Sequence, residues 1–178
     1  MALSDIYSII PSLGIDYEAT IILNDGTANY NWKVGDVSID NQGGHWIFAK
    51  TSEALSAFQL SKLTTALIPL ASAVAAADID SIVPILGIPQ VDIASASHGW
   101  FWRGPGGGVG RGIKCLCAVN CAQNVLLFAT ATDGVVDDAV VTDDCIAGLF
   151  LCVTITTAIA AEVYATTFVS ANLDEGVA

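Results

Sequence analysis

From Ile85 onward, apolar and polar positions follow one another in short runs rich in β-branched and aromatic residues, each bounded by turn-forming residues. The runs are ILGIPQVDI at 85–93, HGWFWRG at 98–104, VGRGIKCLCAV at 109–119, NVLLFAT at 124–130, IAGLFLCVTIT at 146–156 and EVYATTFVSA at 162–171. Side chains on a strand point to alternate faces, so short runs with frequent turn signals predict the strands of a sandwich or barrel. Asp133-Gly134, between LLFATA and VVDDAVV, is a strong hairpin signal because glycine accepts the positive φ of a tight turn. No strand–helix–strand unit stands out, which argues against a parallel nucleotide-binding sheet.

The first half is patterned less clearly. EATIILNDG ends in Asn24-Asp25-Gly26, and GHWIFAK at 44–50 follows an Asn41-Gln42-Gly43-Gly44 turn, so two more strands fit there. Residues 52–77 admit two readings. One is a short helix around residues 52–66, starting after Thr51 or Ser52 with Glu53 in its first turn. The other is a strand AFQLSKL followed by an alanine-rich connection; Leu55, Phe58, Leu60, Leu63 and Leu67 follow helical spacing only in part, so both stay open. The expected fold is all-β, an antiparallel β-sandwich or barrel in one domain over residues 1–178. Residues 1–17 are expected as an extended arm and residues 172–178 as a flexible tail.

Composition narrows the function classes. The chain has 178 residues, 53% of them hydrophobic and 13% charged, which predicts a packed core and not disorder. Eighteen acids against six bases leave a net charge of −12, which repels nucleic-acid phosphates, so no nucleic-acid partner is expected. The opening MALSDIYSIIPSLGIDYE holds three acids and no basic stretch, so it does not read as a secretory leader. The alanine-rich stretch at 66–77 is interrupted by Pro69 and falls short of the roughly 20 apolar residues of a membrane span, so no membrane partner is expected. Five cysteines, an odd number with no leader, predict reduced thiols in a protein made in the cytoplasm. Cys115, Cys117 and Cys121 contain no CxxC pair, and on a strand Cys115 and Cys117 share one face as small buried hydrophobes.

The run HGWFWRGPGGGVGRG at 98–112 raises the question of a phosphate cradle. A P-loop needs a Gly, four residues, then Gly-Lys-Ser/Thr; here position 105 is Pro, Arg111 replaces the lysine and Gly112 the hydroxyl residue. A dinucleotide fingerprint opens a helix, whereas the β-like IKCLCAV follows, so the glycines read as turn or bulge positions. His45 and His98 are isolated from any nucleophile pattern, and no catalytic residue or cofactor is expected. The pairs Asp137-Asp138 and Asp143-Asp144 lack EF-hand spacing and read as a solvated acidic loop, with a weak calcium site as the alternative. No metal site is expected. Trp100, Phe101, Trp102 and Arg103 are the candidate site: with Trp100 and Trp102 on one strand face and Phe101 on the other, either one face meets a core and the other a partner, or all three rings are simply core.

The second half, ILGIPQVDIASASHGWFWRGPG, then IKCLCAVNCAQNVLLFATATDGVVDDA, then IAGLFLCVTITTAIAAEVYATTFVSANL, resembles tailed-bacteriophage capsid decoration proteins, also called cement or auxiliary head proteins. The resemblance covers roughly residues 44–172, its most telling pieces being GWFWRG from Gly99 and TATDGVVDD from Thr130. The glycine run at 106–112 is longer than the family pattern, and the cysteines are unusual in it. The resemblance implies a non-enzymatic virion structural protein that binds the outer surface of an icosahedral head and bridges capsomers. Its implied partners are the major capsid protein and further copies of itself, as a dimer or trimer. Another phage structural component, of the tail or a head fibre, is the rival expectation, and a nucleotide-binding β protein a more distant one.

Overall fold

A computed structural model describes residues 32–63, 70–73, 85–139 and 145–171. Twelve strands are described: β1 (Val37–Ile39), β2 (His45–Thr51), β3 (Ser61–Leu63), β4 (Leu70–Ala73), β5 (Ile85–Pro89), β6 (His98–Trp102), β7 (Gly106–Gly107), β8 (Lys114–Cys117), β9 (Leu126–Ala129), β10 (Val136–Asp137), β11 (Cys145–Leu151) and β12 (Ile159–Ala171). The fold is all-β, as the alternation predicts. The expected arm at 1–17, the tail at 172–178, the EATIILNDG run and the Asp143-Asp144 pair lie outside the described residues.

The pairings return on themselves, which leaves few open sheet edges. β12 pairs with β11, β11 with β9, β9 with β10, β10 with β8, and β8 with β12 again. A second circuit runs through β2, β4, β3, β5 and β6 back to β2. The circuits touch where Ser170 of β12 pairs with Ile85 of β5. Most pairs are antiparallel; β2–β4 and β10–β8 are parallel. β1 pairs with β2 alone in the described residues and carries the exposed Val37 and Ile39.

The Asp133-Gly134 signal corresponds to a hairpin: β9 and β10 pair with Val136 opposite Ala129, and Gly134 has φ 73°. The helix expected around residues 52–66 is not formed over 52–63, and residues 64–66 lie outside the described part. Leu55 instead bridges Ile93, Phe58 turns the chain at φ 70°, and Ser61–Leu63 enters the sheet between β4 and β5. The reason is tertiary: Leu60 is buried in one core and Leu55 and Leu63 in another, a division that a single helical face would not meet.

Two cores fill the molecule. A small one holds Ile47 and Ala49 of β2, Leu63 of β3 and Phe101 of β6, with Leu55 and Ile93. The large one takes the opposite faces of β2 and β6 through Trp46, Phe48, Trp100 and Trp102, together with residues of β8, β9, β11 and β12. Strands covered on both faces read as continuous apolar runs, which explains HWIFA and GWFW. Cys115 and Cys117 point together into the large core from β8, as their spacing predicts, and all five cysteines are buried thiols outside any disulfide.

Candidate functional site

β6 is buried at every position. Trp100, Phe101 and Trp102 are 1%, 0% and 0% exposed, which agrees with the reading that puts the rings in the core: the small core covers Phe101, and the large core covers both tryptophans. Trp32 packs edge-on against Trp100 at 5.6 Å, and Phe48 lies 5.2 Å from the same ring. Rings enclosed this way stabilise the fold and offer nothing to a second molecule.

Arg103 is the first residue of the segment to leave the core. Its backbone is held from both sides, the amide donating to the His45 carbonyl at 2.8 Å and the carbonyl accepting from the Val169 amide at 2.8 Å. Its guanidinium carbon lies 5.2 Å from the centroid of Phe168, a cation–π contact. His45 meets the same ring edge-on at 5.1 Å. Phe168 is 47% exposed, so the three side chains form a surface cluster built on a rigid base. Burial lowers the pKa of Arg103 from its ordinary value, and its Nε is enclosed without a hydrogen-bond partner. The group stays charged.

A break in β12 places Phe168 there. β11 and β12 are in register from Leu149↔Ala165 to Leu151↔Val163 and again at Ala147↔Ser170 and Ile146↔Ala171, with an irregularity between at Gly148 (φ 79°). Residues 166–169 are thereby released from β11, and Val169 bonds Arg103 instead. The glycine run completes the arrangement: Gly106 and Gly107 pair with Ala165 and Tyr164. A Cβ at Gly107, where φ is 77°, would overlap the Val163 carbonyl, so this crossing requires glycine. The run is a strand-joining turn, as expected, and its Gly110 amide donates to the Glu162 carboxylate at 2.9 Å.

The turn that carries His45 is fixed by Asp40, a residue the sequence pattern did not single out. Its carboxylate, 2% exposed, accepts from the amides of Gln42 and Gly44, each at 2.8 Å, and from Trp46 Nε1 at 2.7 Å. Three donors are what a buried carboxylate needs to offset lost hydration. A Cβ on Gly44 would come within 2.6 Å of Asp40 Oδ2 and 2.8 Å of Trp102 Nε1.

The thiols are poor nucleophiles. Burial pushes Cys117 up to about 12 and Cys121 and Cys152 to about 11, so they are protonated near neutrality. His98 begins β6, stacks on Phe48 at 5.8 Å and has its pKa lowered by burial and then by the Lys50 charge. Asp137 and Asp138 are not a solvated loop: both are half-buried, and with Cys121 they place one ligand-type atom each within 4.8 Å of one another. His45, Phe168 and this trio were each missed in sequence as isolated residues. Phe168 had a signal: Ala161, Val163, Ala165 and Val169 face inward, so an even-numbered Phe168 falls on the outer face.

The chain matches no protein-family model, no curated protein and no solved structure.

Proposed function

We propose that this chain is a capsid decoration protein, which binds the outer surface of an icosahedral phage head and reinforces it by bridging capsomers. The observation that carries the reading is the exposed Arg103–Phe168–His45 cluster, held on a packed base within the stretch that resembles that family. An aromatic ring beside a half-buried guanidinium is the residue chemistry of protein-contact anchors, and a pre-ordered base lowers the entropy cost of docking. The partner is the major capsid protein. An enclosed guanidinium favours a carboxylate or carbonyl on the facing surface. Assembly as a dimer or trimer adds avidity on a lattice that repeats the same site. The reading assigns binding and no turnover.

The test uses heads with and without the chain. Heads lacking it are expected to lose resistance to heat and low ionic strength, and to regain it when the purified full chain is added. Phe168→Ala is expected to weaken head binding by about 30-fold, the equivalent of about 2 kcal/mol for one anchor ring. Particles that carry no copies of the chain, or heads equally resistant without it, overturn the reading. Presence at only a few copies per virion transfers the chain to a tail or fibre and also defeats it.

A further inference from the structure

Two motifs that look unremarkable apart come together at one end of the β8–β12 circuit. Cys121 lies in the turn after β8, and Asp137 and Asp138 lie at the end of β10, 16 residues on. The parallel pairing of β10 with β8, with Val136 opposite Cys117 and the Ala118 amide donating to the Val136 carbonyl, brings the segments side by side. The Cys121 thiol has two acceptors at 3.4 Å, Asp137 Oδ1 and the Ala118 carbonyl, and the Asp137 oxygen also accepts from the Asp138 amide at 2.7 Å. Asp138 Oδ2 accepts from the Ala122 amide at 2.7 Å. No lysine or arginine is among these partners. Two half-buried carboxylates thus stand beside a fully buried thiol with neutral donors alone to offset their charge. The neighbouring thiol of Cys117, 2% exposed on β8, donates instead to the Cys115 carbonyl at 3.5 Å and stands outside the trio.

We propose that Cys121, Asp137 and Asp138 bind a divalent cation of the zinc class. The donor set decides the metal. Calcium takes oxygen ligands, whereas zinc accepts a mixture of thiolate sulfur at about 2.3 Å and carboxylate oxygen at about 2.0–2.2 Å in a tetrahedron. One ligand atom from each of the three residues already lies within 4.8 Å of the others. On binding, the Cys121 sulfur releases its proton to solvent and keeps the electron pair for the metal, with no change in oxidation state. The ion ties the turn after β8 to the end of β10, across the narrow β8–β10 pairing. Its role is structural, and it is independent of the docking surface proposed above.

The experiment uses the full chain, reduced and stripped with a chelator, and titrates it with Zn2+, Ca2+ and Co2+. Expected are one Zn2+ bound per chain, a raised unfolding temperature, and a thiolate-to-cobalt charge-transfer band with Co2+. Cys121→Ser is expected to abolish the band and weaken Zn2+ binding at least ~100-fold, and Asp138→Asn to weaken it with the band retained. Cys145→Ser, a buried thiol outside the cluster, serves as the folding control and should bind Zn2+ as the parent does. Absence of binding, Zn2+ binding indifferent to both Cys121→Ser and Asp138→Asn, or Ca2+ binding in preference to Zn2+ would each overturn the proposal.

Discussion

β6 and β12 both carry aromatic rings, and they use them in opposite ways. β6 lies between the two cores, and its five residues are all buried. β12, at 13 residues the longest strand, packs one face inward through Val163 and Val169 and leaves Phe168 on the other, beside Arg103 and His45. The number of covered faces decides what an aromatic residue does. A dense aromatic run marks a strand enclosed on both sides, while one ring of outward parity on a long strand is free to meet another molecule.

Trp102→Ala tests the enclosed side of this contrast most severely. Removing a ring from a fully buried position should cost about 3–5 kcal/mol, read as a lower denaturation midpoint. A loss below about 1 kcal/mol would show that β6 is not the strand between two cores that the packing implies. Asp40→Asn comes next: it disturbs the acceptor of three hydrogen bonds in the turn between β1 and β2, and about 1–3 kcal/mol should be lost. On the open side, Phe168→Ala should change stability by no more than about 0.5 kcal/mol while weakening head binding, so chemical denaturation and a head-binding assay must diverge for this variant. For Trp102→Ala the two must fall together.

The smallest effect is one of pH. His98 is held in β6 with its pKa below the ordinary 6.5, first by burial and then by Lys50 across the strand pair. Below 6.5 the unfolded chain takes up a proton that the folded chain resists. Stability should therefore fall as pH drops from 6.5 toward the folded value and level off beneath it. His98→Gln should remove that portion of the slope, as measured by denaturation across pH 4–8; an identical slope in the variant would assign it to other groups.

Local patterning made the strands legible from Ile85 onward, because alternation and turn residues act within a few positions. The inward pairing of Cys115 with Cys117 and the hairpin at Gly134 follow from the same short-range rules. The helix expected around residues 52–66 fails for the opposite reason: Leu55 answers to Ile93 and Ser61 to Gly87, contacts that no local window contains. The candidate site was legible in part. Arg103 was singled out, but its partners Phe168 and His45 come from strands 65 and 58 residues away along the chain, which are positions 168 and 45 against 103. The meeting of Cys121 with Asp137 and Asp138 depends on a parallel pairing that also leaves no mark in a single run of sequence.

That pairing is narrow. β10 touches β8 through one register pair, Val136↔Cys117, whereas β12 meets β8 through four, from Ile159↔Cys117 to Glu162↔Lys114. In a closed ring under load, rupture begins at the seam with the fewest bonds and spreads from there. Tension on the β9–β10 hairpin would part β10 from β8 first and turn the ring into a flat ribbon with two new edges. The mechanical limit of the circuit is thus set by one residue pair and by whatever clamps the turn beside it.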